Sequence, residues 1–374
     1  MNRLLEKLGS SPFPETECLD ECSLCNSSEQ ELVYEAVDRL HHLPGRFRII
    51  SCRNCSLVRL SPRPRPEFLS YYYPEESYYS YQTSTEQPSA SIVERSRDSI
   101  RKVVLERMGY ATTPLSPLEK FIQPTANLLF KSRATYGWGD RFPRSVPNGR
   151  VLDVGCGTGI YLSQLKSLGW NVFGVEISKK AAAVARQQFG IDVFCGELTD
   201  APFANESFDH IHISHVLEHF PDPFSILIKI NELLKPNGTL YIEVPNIDSH
   251  GAEIAGPYWL HWDAPRHLFG FTPKSLKNAI VNAGLDVRKM TTILADFREW
   301  EDTYRLEEQS GEMLGDRPVK SVKSKLRHIP GWFRARLAYH NNRNRGDFLC
   351  CWASRAKNGD APVRQSLAGR PSDA

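Results

Sequence analysis

The sequence predicts an α/β protein built on a doubly wound, mostly parallel sheet. Three observations lead there. From residue 148 onward, short apolar runs alternate with amphipathic ones, the rhythm of strands joined by crossover helices. The first apolar run leads into glycines at alternate positions, "VLDVGCGTGI" (151–160). The second closes on an acid, "NVFGVEIS" (171–178).

The elements follow in chain order. "CSLC" (22–25) and "CRNC" (52–55) enclose a stretch long enough for a hairpin-like excursion. The segment 61–89 is rich in proline and tyrosine, and its prolines argue against continuous helix or central strand. Residues 91–108 place Ile92, Val93, Ile100, Val103, Val104 and Met108 near helical spacing. A second helix is expected over 118–137, interrupted by Pro124.

Then come a buried strand in "RVLDVGC", a helix in "GIYLSQLKSLG" closed by Gly169, and a strand in "NVFGVEIS". "KKAAAVARQQFG" is an alanine-rich helix, "IDVFCGE" a third strand, and "SFDHIHISHVLEH" (207–219) holds a fourth. "PFSILIKINELLKPNG" reads as a helix with Gly238 just past its end, followed by the strand "TLYIEVPN". Thr272 and Pro273 open a further helix. "LDVRKMTTIL" (285–294) and "GDFLCCWASRA" (346–356) are the last strands. The expected divisions are a knuckle at 18–60, a linker and helical region at 61–147, a core at 148–297, a helical insertion at 298–345, a final core strand at 346–356 and a disordered tail at 357–374.

Among 374 residues the formal net charge is +2, too small to imply nucleic acid or an acidic membrane surface as partner. The basic residues do thicken over 320–345. No run approaches 18 apolar residues, and the first fifteen residues lack a signal-like apolar core, so a cytoplasmic chain without a membrane span is expected. In that compartment nine cysteines read as metal ligands or core residues rather than disulfides.

Glycine in a regular element costs about 0.5–1 kcal/mol relative to alanine, so Gly155, Gly157 and Gly159 call for a reason. They lie between a strand and a helix, where doubly wound sheets bind ligands. Glu176 ends the next strand, where a carboxylate can accept from both hydroxyls of a ribose. Asp153 precedes the loop; a carboxylate repels a diphosphate but suits a cationic amino-acid ligand.

With those residues in view, the stretch 148–290 resembles the class I S-adenosylmethionine-dependent methyltransferases. The resemblance rests on "VLDVGCGTG", "VEIS", "GELTDAPFANESFDHIHISHVLEHFPDP" and "LLKPNGTLYIEVPN" in order. It implies a Rossmann-like sheet of the class I methyltransferase type, with the small knuckle and helical additions attached. It also implies that Asp153, Gly155, Cys156, Gly157 and Gly159 hold the methionine part of S-adenosyl-L-methionine. By the same resemblance Glu176 takes the ribose, Ile177, Glu197 and Leu198 border the adenine, and His215 lies near the sulfonium.

Cys22, Cys25, Cys52 and Cys55 form C-x2-C-x26-C-x2-C, a spacing that presents four thiolates to one structural zinc ion. Unliganded thiols or a redox dithiol are the competing readings. With the knuckle and tyrosine segment included, the chain is similar to bacterial methyltransferases of sugar, polysaccharide or secondary-metabolite pathways. That implies a small-molecule acceptor, expected to be a carbohydrate such as a sugar nucleotide or glycan precursor. Candidate acid–base residues are His215, His219 and His267, with Glu218 and His261 beside them, and His215 is favoured by its place at the strand end. Tyr258, Trp259 and Trp262 are a candidate stacking surface for a sugar ring. An RNA or protein methyltransferase that uses the knuckle and the basic 320–345 region is the alternative; a non-enzymatic adaptor on the same scaffold is a third. Nucleic acid is disfavoured by the near-neutral charge. Oligomeric state is not legible.

Overall fold

In a computed structural model of the chain, residues 14–74, 102–110, 141–295 and 333–356 are described, with single positions between 114 and 121 and between 299 and 303. The expected tail, most of the 298–345 insertion, the tyrosines at 78–81 and the helix around Pro124 lie outside the described residues.

The strands are β1 (Thr16–Glu17), β2 (Gln30–Ala36), β3 (Phe47–Cys52), β4 (Val58–Leu60), β5 (Arg63–Pro64), β6 (Arg150–Val154), β7 (Asn171–Glu176), β8 (Asp192–Cys195), β9 (Phe208–Ser214), β10 (Leu234–Pro245), β11 (Phe269–Gly270), β12 (Leu285–Ile293) and β13 (Phe348–Arg355). The α-helices are α1 (Ile160–Ser167), α2 (Lys179–Phe189), α3 (Pro223–Leu233), α4 (His250–Ala255) and α5 (Pro273–Asn282). A seven-stranded sheet has the order β12-β13-β10-β9-β6-β7-β8. The sequence-predicted α/β class is thus the observed one, a Rossmann-like fold of the class I methyltransferase type.

The described residues fall into two units. One lies within Tyr79–His212 and Leu233–Tyr241; the other lies within Met1–Tyr78, Ile213–Glu232 and Ile242–Ala374.

In the first of these, β6 pairs in parallel with β7, Arg150↔Asn171 to Val154↔Val175, and β7 with β8, Phe173↔Asp192 to Glu176↔Cys195. The chain then returns to place β9 on the other side of β6. That reversal opens the crevice beyond the strand ends where such sheets bind ligands. Helix α2 starts on the Ser178 hydroxyl, which accepts from Ala181 N–H, and stops at left-handed Gly190. Its alanines let it lie close: Ala181, Ala182 and Ala185 are buried. Gly159 (φ +80°) belongs to the same packing, since a Cβ there would come within 2.9 Å of Ala185 and 2.8 Å of Ile191.

In the other unit, β2 and β3 form the expected hairpin, Gln30↔Cys52 to Ala36↔Phe47. The knuckle is not a separate bead. Its strands make a four-stranded sheet with β11, order β11-β4-β3-β2, so residues 58–59 pair with 269–270. Below that sheet Arg266, fully buried, grips Asp38 through both guanidinium nitrogens at 2.7 and 3.0 Å and also reaches Asp263 at 2.6 Å. Asp38 further accepts from the N–H groups of Leu40 and His41, so both of its oxygens and the guanidinium are hydrogen-bonded, while Asp263 Oδ2 is buried without a hydrogen bond. Thr272 caps α5 as expected, in a capping box with Ser275. Strands β12 and β13 are antiparallel, Leu285↔Arg355 to Ile293↔Phe348, which breaks the parallel pattern at the end of the chain. One boundary differs from expectation: α3 ends at Leu233 and residues 234–238 join β10. Pro236 disfavours helical backbone at the residue before it.

Candidate functional site

The glycine loop is held by an acid from the neighbouring strand. Glu176 Oε2 accepts from Gly157 N–H at 2.8 Å, and Oε1 accepts from Ser178 N–H at 2.7 Å. Glu176 is 7% exposed, and burial pushes its carboxyl upward against those two donors. Gly155, Gly157 and Gly159 all have positive φ. At Gly157 a Cβ would meet nothing within 4 Å, so open space adjoins that residue. Cys156 turns inward, where a Cβ on Gly174 would lie 2.5 Å from its sulfur, and burial pushes its thiol up. It offers a ligand its backbone, not its thiol.

Beyond Glu176, Ile177 is 68% exposed, a large apolar side chain facing water after a buried strand. Glu197 is exposed and Leu198 buried. These residues could border an apolar, planar ligand.

Asp153 is held by a histidine from the neighbouring strand. Its Oδ1 accepts from His212 Nδ1–H at 2.7 Å, and the pair is buried. The His212 ring is stacked between Tyr161 (centroids 3.9 Å apart) and Tyr241 (5.3 Å, planes 3° apart). Sequence reading missed His212. The signal was there in "HIHIS": two histidines two residues apart on an apolar strand share a face, and a buried face demands partners. His210, the other one, bonds Thr239.

The other unit holds the remaining histidines. His215 has φ +55°, a left-handed conformation uncommon outside glycine. Its Nε2 donates to buried Glu243 at 3.2 Å, and its Nδ1 lies 3.8 Å from buried Glu218. Burial works against charge on this ring, but the two carboxylates outweigh it and raise His215 to about 10. A ring that keeps its proton at neutral pH cannot take another. The base favoured by location is therefore a cation. His219 is the opposite case: burial and then neighbouring His267 lower it to about 4, so it is neutral. His219 Nδ1 lies 3.1 Å from the Arg266 carbonyl and 2.9 Å from the Tyr73 hydroxyl. His267 Nδ1–H donates to the His261 carbonyl at 2.8 Å. Its Nε2 lies 4.0 Å from Glu218, whose two oxygens are buried without a hydrogen bond. One donor atom each from Glu218, His219 and His267 lies within 4.8 Å of the others, close enough to share an ion.

The four knuckle cysteines converge, with Sγ atoms 3.5 Å apart for Cys22 and Cys55 and 3.6 Å for Cys25 and Cys52. Ligands about 2.3 Å from one tetrahedral ion sit about 3.8 Å from each other, so the donor set fits zinc. The two halves repeat one design. Asn26 and Ser56, each following the second cysteine, are left-handed and donate to the Cys22 and Cys52 carbonyls, while Cys22 and Cys52 donate to Ser27 and Leu57.

The expected sugar-stacking surface is not one. Trp259 is 3% and Trp262 8% exposed, packed edge to face on each other, and Tyr258 lies under Arg39. Aromatic area here is spent on the interior. No described helix is long and apolar enough to cross a membrane.

His215 makes stability depend on pH. Raised above its unfolded value of about 6.5, it contributes stability that is full below that pH and lost as pH rises through about 10. Because the side chain is 38% exposed, water screens part of the effect. The melting-temperature gap between wild type and His215→Gln is expected to narrow between pH 6 and pH 10; a gap that widens contradicts a protonated His215.

Residues 130–290 match the methyltransferase domain family. A ubiquinone biosynthesis O-methyltransferase from Parvibaculum lavamentivorans is 31% identical over 191 residues, 47% of this chain and 75% of that protein. One from Cereibacter sphaeroides is 32% identical over 148 residues, 37% of this chain and 60% of that protein. Among solved structures, an S-adenosylmethionine-dependent methyltransferase from Thermotoga maritima, described as a possible histamine N-methyltransferase, is 19% identical. It covers 56% of this chain and 84% of its own at a TM-score of 0.39, too slight a likeness to argue from.

Proposed function

The chain belongs to the class I S-adenosylmethionine-dependent methyltransferases, and from that premise we propose that it methylates an oxygen of a small-molecule acceptor. The observation that carries the cofactor site is the loop itself: Glu176 fixes Gly157 by its N–H while the space beside that residue stays open. The relatives' shared name supports an oxygen acceptor of small size. The carbohydrate acceptor expected from the sequence finds no support among them, and the packed tryptophans remove its structural argument.

In this reading Gly155 and Gly157 offer bare backbone to the aminoacyl part and Asp153 its carboxylate. Glu176 has spare lone pairs for ribose hydroxyls, since each oxygen now accepts one bond. Ile177 supplies an apolar face. When bound, S-adenosylmethionine supplies an electrophilic methyl group. The protein's own share is alignment, worth up to about 7–11 kcal/mol in favourable cases, and removal of one proton. His219 is the base we assign: it is one of the three candidate histidines, and its Nδ1 lies 2.9 Å from the Tyr73 hydroxyl, a second group able to pass a proton. His215 with Glu218 and Glu243 is an internal ion cluster that shapes the chain after β9. Cys22, Cys25, Cys52 and Cys55 hold a structural zinc that fixes the knuckle against β11 and has no open position for chemistry.

Three outcomes are expected. Titration calorimetry with S-adenosylhomocysteine gives saturable binding to wild type and none to Gly157→Arg, whose side chain enters the open space; retained binding by a folded variant removes the loop assignment. His219→Asn leaves that binding within about threefold and cuts turnover by about 10²–10⁴-fold. A loss below threefold assigns the proton elsewhere. Elemental analysis finds about one zinc per chain in wild type and almost none in Cys25→Ser with Cys52→Ser; equal contents reject the site.

A further inference from the structure

The buried pair of Asp153 and His212 has no part in the reading above beyond the Asp153 carboxylate, yet it is the most tightly built polar feature of its unit. Asp153 closes on the glycine loop from β6 and is 5% exposed, as is His212 from β9. An isolated carboxylate at such depth is costly unless its oxygens are hydrogen-bonded. Among the described residues, its carboxylate accepts one hydrogen bond, at Oδ1 from His212 Nδ1–H, 2.7 Å long. Two oxygens offer about four acceptor positions, so most of this carboxylate's capacity is unspent.

The donor is itself immobilised. Tyr161 lies on one flat contact of the imidazole and Tyr241 on another, with planes within 24° and 3° of the ring. Tyr161 is anchored by its hydroxyl to the Arg141 carbonyl at 3.0 Å. His212 Nε2 is buried and meets no hydrogen-bond partner, so the ring touches the polar world through Nδ1 alone. Stacking on two rings holds the imidazole plane, and the carboxylate cannot turn without breaking the bond.

We propose that His212 is a positioning residue for cofactor binding: by holding one oxygen of Asp153 it leaves the other to accept from the cationic amino group of the cofactor's amino-acid part. The inference rests on the S-adenosylmethionine reading of the glycine loop. It adds a residue that never touches the ligand but sets how well the loop tells an aminoacyl nucleoside from a plain one. A held carboxylate pays no reorientation cost when the ammonium arrives; a free one does.

The test compares two ligands by calorimetry on the full chain. S-adenosylhomocysteine carries the amino-acid part; 5′-methylthioadenosine keeps the nucleoside and lacks it. In His212→Phe the ring stays between the tyrosines but the donor is gone. S-adenosylhomocysteine is expected to bind at least about tenfold more weakly, in line with losing a hydrogen bond that orders a charged group, while 5′-methylthioadenosine changes less than about twofold. His212→Asn, whose side-chain amide can replace Nδ1–H, is expected to restore S-adenosylhomocysteine binding to within about threefold of wild type. Equal weakening of both ligands, no weakening of either, or an asparagine variant as poor as phenylalanine overturns the proposal. If wild type binds neither ligand, the cofactor reading itself fails and takes this inference with it.

Discussion

One hydrogen bond organises the strand ends around the glycine loop: Gly157 N–H, in the loop after β6, to the carboxylate of Glu176 at the end of the adjacent parallel strand, 2.8 Å away. A loop of three left-handed glycines has no side chains to define it and is entropically expensive to order. The acid at the end of β7 supplies the definition from outside. Its other oxygen takes Ser178 N–H at the start of α2, so one buried side chain sets both the loop after β6 and the turn after β7. The same carboxylate keeps acceptor capacity to spare, which is why a structural clamp and a ligand contact need not compete.

The other unit depends on a comparable clamp of opposite sign. Arg266 is a buried cation gripping Asp38 in the knuckle hairpin and Asp263 in its own turn. Removing one member of such a group typically costs about 3–5 kcal/mol, because the partners are left buried and charged. With the β4–β11 pairing, it makes the four-cysteine knuckle part of the sheet architecture rather than an appended module. The cysteine knuckle thereby reaches past its own loops: Leu60 N–H donates to the Leu268 carbonyl, and Leu268 N–H donates to the Glu218 carbonyl.

Much of this was legible in the sequence, and what was not has a common cause. The strand and helix pattern, the Thr272 cap and the cysteine spacing are local, set within a few residues by periodicity, turn chemistry and donor count. The glycine loop and Glu176 were legible as a pair because strand ends in crossover sheets fall side by side. The partners of buried polar groups were not. His212 finds Asp153 across 59 residues, Arg266 finds Asp38 across 228, and no local rule links either pair. The surroundings of His215 were hidden for the same reason: Glu243, which helps raise it, lies 28 residues on in the next strand. Trp259 and Trp262 took the packing role that the sequence left open beside a sugar-stacking one, since composition alone cannot say whether aromatic rings line a cavity or fill one.

The acids of this chain are therefore best compared by what is left over once each is satisfied. Asp38 and Asp263 are consumed by Arg266, and their role ends with the fold. Glu243 is tied to His215 and to the Cys350 thiol. Asp153 and Glu176 differ: each is buried, Asp153 is held by His212 and Glu176 by two backbone N–H groups, and neither is bonded to a lysine or arginine. Two under-neutralised carboxylates flanking a bare loop create a region of negative potential whose low-dielectric walls strengthen it. A ligand with an ammonium at one end, a sulfonium in the middle and hydroxyls to donate meets that field favourably at every point, whereas a diphosphate meets it unfavourably at two. In the proposed cofactor reading, selectivity lies less in the glycines, which any nucleotide fold can use, than in the carboxylates that a histidine and backbone donors hold in place beside them.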